Sequence, residues 1–143
     1  MKSLIGLVIV LFGIVLLSGC CEPYQPTQLT VSNKTGYDLE LVEWNGYYFD
    51  NGVVWDDNLG EYCHVLFNGT SVTITVVPGT DYISFWRLNG GKYYTDIISV
   101  APGQKALCII TSDTDIRSAL TANDLTTAKK AELQKAKNTE GLN

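Results

Sequence analysis

At 143 residues, with 45% hydrophobic, 17% charged and 10% aromatic residues and a formal net charge of -5, the chain has material for one modest domain and excludes two. Ten Lys and Arg against fifteen Asp and Glu, with no basic stripe interleaved with aromatics, exclude a phosphate-binding surface and with it a nucleic-acid partner. Thirteen of the hydrophobic residues stand in Met1–Leu17, so the total overstates the apolar content of the part that folds.

Lys2 is the only charge before Glu22, and it precedes an apolar or glycine run from Leu4 to Leu17. A spanning helix needs about 20 apolar residues, so this run is short for a permanent anchor and has the form of an export-signal core. Directly behind it stands Leu17-Ser18-Gly19-Cys20. The arrangement resembles the signal of bacterial lipoproteins, in which Leu, a small residue, Gly or Ala, and then Cys follow a short apolar segment. The resemblance covers the address label alone. It implies that residues 1–19 are removed, that the Cys20 thiol carries a diacylglyceryl group, and that its new amino terminus is acylated, palmitate being a usual chain. One acyl chain holds a membrane only marginally, and two or three on one residue hold it stably. The alternatives, an uncleaved signal anchor or an ordinary secretory signal, also export residues 22–143. The expected location is the cell membrane or outer membrane, facing the periplasm or the exterior. Cys21, rather than Asp, after the lipidated position favours the outer membrane in a Gram-negative cell.

Residues 20–27 then form a lipidated tether, with Glu22-Pro-Tyr-Gln-Pro-Thr27 too proline-rich for a helix. From 28 to 112 the pattern is that of strands. Gln28–Ser32 alternates; Tyr37, Leu39 and Leu41 share a face opposite Asp38 and Glu40; Val72, Ile74 and Val76 alternate with Ser71, Thr73 and Thr75. Further segments lie near Cys63–Phe67, Tyr82–Leu88, Tyr93–Val100 and Ala106–Thr111. Turn signals separate them, among them Asn33-Lys-Thr-Gly36, Asn45-Gly46, Asn68-Gly69, Pro78-Gly79 and Pro102-Gly103. Seven or so strands without a helical pattern among them predict an all-β domain, a small antiparallel β-sandwich of the immunoglobulin-like or transthyretin-like kind, with a barrel as the alternative. Residues 113–143 contain no aromatic residue. Asn123 is placed to cap a helix running to Lys137, whose apolar stripe is thin: Leu125, Ala128, Leu133 and Ala136. The expectation is a helical or frayed, solvated tail. Charge divides the same way, net -8 over residues 22–115 and +2 over 116–143. That asymmetry favours folding the tail against the acidic domain or laying it on anionic headgroups.

Export places the cysteines where disulfides persist. Cys63 shares a strand face with Val65 and Phe67, and Cys108 shares one with Ala106 and Ile110, so both are expected to point inward. A Cys63–Cys108 bridge would close about 46 residues and stabilise the fold by roughly 4 kcal/mol; the alternative is two buried free thiols. The order Cys63, Trp86, Cys108 is similar to that of antibody domains, but Ala106 stands where their tyrosine would be, which leaves an analogy of architecture only.

Signatures of catalysis are scarce. His64 is the only histidine and reads as structural or solvent-facing. The acidic stretch Asp50-Asn51-Gly52 and Asp56-Asp57-Asn58-Leu59-Gly60-Glu61 holds oxygen ligands but fails the calcium-loop register, and its residues are those of turns. Asn33-Lys-Thr35 and Asn68-Gly-Thr70 satisfy the glycosylation rule and read as turns as well. No cofactor is implied. The aromatics are more informative: Trp44, Tyr47, Tyr48, Phe49 and Trp55 fall within twelve residues, Tyr47 and Tyr48 on opposite faces of any strand. Too many for a thin core, they predict an exposed aromatic surface built from Trp44, Tyr47, Tyr48 and Trp55, the alternative for most of them being core filling on both sheets of the sandwich. The expected function is a lipid-anchored, non-enzymatic envelope module that binds another envelope protein. The alternative is a carbohydrate-binding module using Trp44, Tyr48 and Trp55, and further behind it a small hydrolase or metal-binding protein around His64.

Overall fold

The structure, a computed structural model, describes residues 24–87, 90–113, 117–118 and 122–140. The signal segment, Cys20 and Cys21 lie outside the described residues. Among the described residues there are ten strands: β1 (Gln28–Lys34), β2 (Leu39–Trp44), β3 (Tyr47–Tyr48), β4 (Gly52–Asp56), β5 (Glu61–Leu66), β6 (Ser71–Thr75), β7 (Gly79–Arg87), β8 (Lys92–Val100), β9 (Lys105–Thr111) and β10 (Arg117–Ser118). The helix α1 (Ala122–Glu140) follows. No helix among the described residues is long and apolar enough to cross a membrane.

The strands form a β-sandwich. A three-stranded sheet runs β6-β1-β9, and a seven-stranded sheet runs β10-β8-β7-β2-β5-β4 with β3 on β2. All pairings are antiparallel except β1 with β9, which run parallel from Gln28 beside Lys105 to Lys34 beside Thr111. Between the sheets lie Leu29, Val31, Leu39, Val42, Trp44, Phe49, Leu66, Ile83, Phe85 and Ile110. Alternation explains this core: Leu29 and Val31 of β1, Val72 and Ile74 of β6, and Ala106, Cys108 and Ile110 of β9 point inward, while Thr30 and Thr73 bond each other on the outer face at 2.7 Å.

The outer face of the larger sheet is also buried at its centre. α1 lies there and closes a second core of Leu41, Leu59, Cys63, Trp86, Leu133 and Ala136, with Ala128 and Tyr48 packed against it. The expected C-terminal helix is present, but it is a docked third layer and not a solvated tail. Its thin stripe suffices because ion pairs flank it: Glu132 accepts from the Trp86 indole at 2.6 Å and from Lys92, and Lys137 reaches Glu61 at 2.6 Å.

Two local features in and beside β2 decide which way its side chains face. At Asn45-Gly46 both residues have positive φ, 48° and 83°, which makes the tight hairpin turn joining β2 to β3. In β2 the pairing with β7 shifts between Glu40 and Glu43, and Leu41 adopts φ 48°. This bulge breaks the predicted alternation. Leu39 and Val42 face the sandwich core, while Glu40 and Leu41, consecutive in sequence, both face α1. Strand β4 is not among the predicted segments, because Val53 and Trp55 alternate within a stretch whose Asp and Asn residues read as a loop.

Candidate functional site

Beneath α1 the larger sheet gathers charge in a dry place. The β2 bulge supplies Glu40, the end of β4 supplies Asp56, and α1 supplies Lys129; all three are buried. The Lys129 ammonium donates to Asp56 Oδ2 at 2.5 Å and to Glu40 Oε2. Asp56 Oδ1 accepts the backbone N–H groups of Asn58 at 2.8 Å and Leu59 at 3.2 Å, which closes the β4–β5 turn and fixes the carboxylate. Glu40 Oε1 is buried with no hydrogen-bond partner. The Trp86 ring lies 6.0 Å from the ammonium, and Cys63 Sγ is within 4.8 Å of an oxygen of each carboxylate.

The environment divides the two acids. Burial pushes the Glu40 carboxyl above its ordinary range, against the pull of Lys129. Burial acts the same way on Asp56, but Lys129 and the two turn N–H groups outweigh it and hold Asp56 below its ordinary range. Burial alone would lower Lys129, yet its bonds to Asp56 and Glu40 keep the ammonium above its usual value. Glu40, Asp56 and Cys63 have the spacing of a three-ligand metal site, but the positive charge among them is Lys129. Burial raises the Cys63 thiol to about 11, which suits a packed sulfur rather than a thiolate ligand.

The aromatic surface expected from the sequence is not assembled. Trp44 is 0% exposed in the core between the sheets, its indole donating to the Asp81 carbonyl at 3.1 Å. Tyr47 stacks beside it, and the Tyr47 hydroxyl accepts the Val77 N–H at 3.1 Å. Tyr48 packs in the α1 core, where burial and then Glu43 and Glu132 push its hydroxyl up to about 12. Trp55 alone of the four is open, at 51% exposure, and its partner is one the sequence reading missed: Tyr62, 62% exposed and directly opposite on β5. Their rings meet edge to face at 5.2 Å. Val53, also exposed, shares this face, and Asp57 accepts the Trp55 indole N–H at 2.9 Å. Along β5 the same face passes from buried Leu66 to half-buried His64 to exposed Tyr62, so cover by the smaller sheet runs out along the hairpin.

No protein-family model and no curated protein matches the chain. Among solved structures, the NMR structure of a protein from Eubacterium rectale is similar at 14% identity and a TM-score of 0.42, over 73% of this chain and 98% of that one.

The predicted Cys63–Cys108 disulfide is absent, and both cysteines are free. Each points inward as expected, but into different interiors: Cys63 into the core under α1, Cys108 into the core between the sheets. Trp86 lies with Cys63 under α1 and so does not stand between two bridged sheets. The acidic stretch does not converge on an ion, since Asp50 pairs with His64 at 2.8 Å, Asp56 with Lys129, and Glu61 with Lys137. Asn33 is a structural residue: its buried amide donates to the Tyr37 and Leu66 carbonyls and its oxygen accepts from Thr35. Nothing in the local sequence marked Glu40 or Lys129, since a Glu in an alternating strand and a Lys in a polar helix both read as solvated.

Proposed function

We propose that the chain is a lipid-anchored, non-enzymatic protein of the bacterial cell envelope that binds another envelope protein through the open face and free edge of the β4–β5 hairpin. The observation that carries the binding surface is the exposed Trp55–Tyr62 pair on the edge strand β4 and its neighbour β5, at one end of the larger sheet. An aromatic pair beside a terminal strand offers both side-chain anchors and a backbone edge for an added strand. The anchoring rests on Leu17-Ser18-Gly19-Cys20, with Cys20 as the lipid attachment site. A non-enzymatic role is supported by the engagement of the reactive groups: Glu40, Asp56 and Lys129 are buried against one another, and the Cys63 thiol is held protonated.

The carbohydrate reading moves to Trp55, because Trp44 is core. Rings meeting at 75° present no shared flat platform, which favours the protein partner. A photocrosslinking residue placed at Val53 in intact envelopes, followed by mass spectrometry, tests the proposal. Specific protein adducts that disappear in Trp55→Ala/Tyr62→Ala are expected. Adducts indifferent to that double substitution would sink it, and retention on glycan or peptidoglycan lost in Trp55→Ala would shift the reading to carbohydrate. In the same samples, the Cys20 peptide should carry the diacylglyceryl mass.

A further inference from the structure

The cluster under α1 brings an amine against a carboxyl group with a second carboxyl beside both. We infer that Lys129 and Asp56 become joined by an amide bond that the protein forms on itself, with the Glu40 carboxyl relaying protons. Lys129 Nζ stands 2.5 Å from Asp56 Oδ2, the neighbour relation that precedes attack on the adjoining carbonyl carbon. Asp56 cannot turn away, because its other oxygen is held by the Asn58 and Leu59 N–H groups.

In water an ammonium and a carboxylate do not condense: both are ionised and solvated. This site removes the solvation, while the contacts of Lys129 with Asp56 and Glu40 keep the ammonium above and the Asp56 carboxylate below their usual values. The three groups are buried, and Leu41, Leu59, Cys63, Trp86 and Leu133 enclose them without offering solvent. Burial by itself works toward the neutral amine and acid that one proton transfer produces, on Lys129 and on Asp56 alike, against the pull of their contact. Glu40 has the form of a relay. One of its oxygens meets the ammonium, the other has no partner, and burial favours its protonated state.

The step balances without oxidant or co-reactant. A proton passes from the Lys129 ammonium to the Asp56 carboxylate. The neutral amine then attacks Asp56 Cγ, forming the C–N bond. Glu40 gives its proton to the departing hydroxyl and takes one from the nitrogen as the C–O bond breaks. The sum is ammonium plus carboxylate giving amide plus one water, with Glu40 returned to its starting state. The product ties α1 covalently to the end of β4, across 73 residues of sequence.

Tryptic digestion of the denatured full-length protein reads this directly. No Lys or Arg lies between Lys34 and Arg87, so residues 35–87, carrying Glu40 and Asp56, leave as one peptide. The expected species is that peptide linked to residues 118–130, one water lighter than the two together, with cleavage after Lys129 blocked. Asp56→Ala should abolish the linked species and restore the cleavage, and Glu40→Gln should reduce the linked fraction at least about tenfold. Free 35–87 and complete cleavage after Lys129 in wild-type protein would overturn the bond. Linking in Glu40→Gln equal to wild type would overturn the relay.

Discussion

Lys129 of α1 meets Glu40 of β2 although 89 residues separate them, and the contact exists because a bulge turns Glu40 to the same face of the sheet as Leu41. In a regular strand Glu40 and Leu41 would point to opposite faces, and one of them would face the sandwich core or leave the helix without its partner. The acidic domain and basic tail are thus joined through particular pairs, Lys129 with Glu40 and Asp56, and Lys137 with Glu61.

Removing the cation should unbalance the cluster. Lys129→Ala leaves two buried carboxyl groups without their partner, and a loss of about 3–5 kcal/mol is expected in denaturant unfolding. Lys137→Ala, which removes an exposed pair, should leave the unfolding midpoint essentially unchanged. Equal effects of the two substitutions would contradict the burial of the Lys129 cluster.

Glu40 gives stability a pH signature. Burial holds its carboxyl above the ordinary value of 4.5, so the folded state keeps a proton that the unfolded chain releases. Stability from this group is fully present below 4.5 and is lost as pH rises towards the higher folded value. Melting temperatures of wild type and Glu40→Gln, followed upward from pH 4.5, should diverge in favour of the variant; parallel curves would count against this assignment.

Both described cysteines should behave as packed thiols. Burial raises Cys63 and Cys108 each to about 11. Iodoacetamide at about pH 8 is therefore expected to leave them unmodified in folded protein. In denaturant without reductant, both should label fully. Failure to label there would show a disulfide.

The tryptophans should separate stability from binding. Trp44→Ala opens a hole between the sheets and is expected to cost about 3–5 kcal/mol. Trp55→Ala, on the exposed hairpin face, should stay within about 1 kcal/mol by unfolding while losing the envelope crosslinks. A destabilised Trp55→Ala would mean that this face packs against something within the chain.

Much of the sandwich was legible because strand alternation and turn chemistry are local. Val72, Ile74, Ala106, Cys108 and Ile110 face the core their spacing assigned, and Asn45-Gly46 makes the turn its composition demands. The site was less legible. Trp44 and Trp55 are the same residue type eleven positions apart, yet one is core and the other open, because the smaller sheet covers β2 and runs out along the β4–β5 hairpin. Tyr62 escaped notice because its importance lies in the residue across from it.

By itself the sequence determined the all-β class and the inward faces of Cys63 and Cys108, since each depends on residues close together in the chain. Only the tertiary structure decided which interior each inward face enters. A sheet with the smaller sheet on one side and a helix on the other has two dry faces. Alternation names a face without saying what covers it, so the separation of the two thiols and the meeting of Glu40, Asp56 and Lys129 came from packing between distant segments.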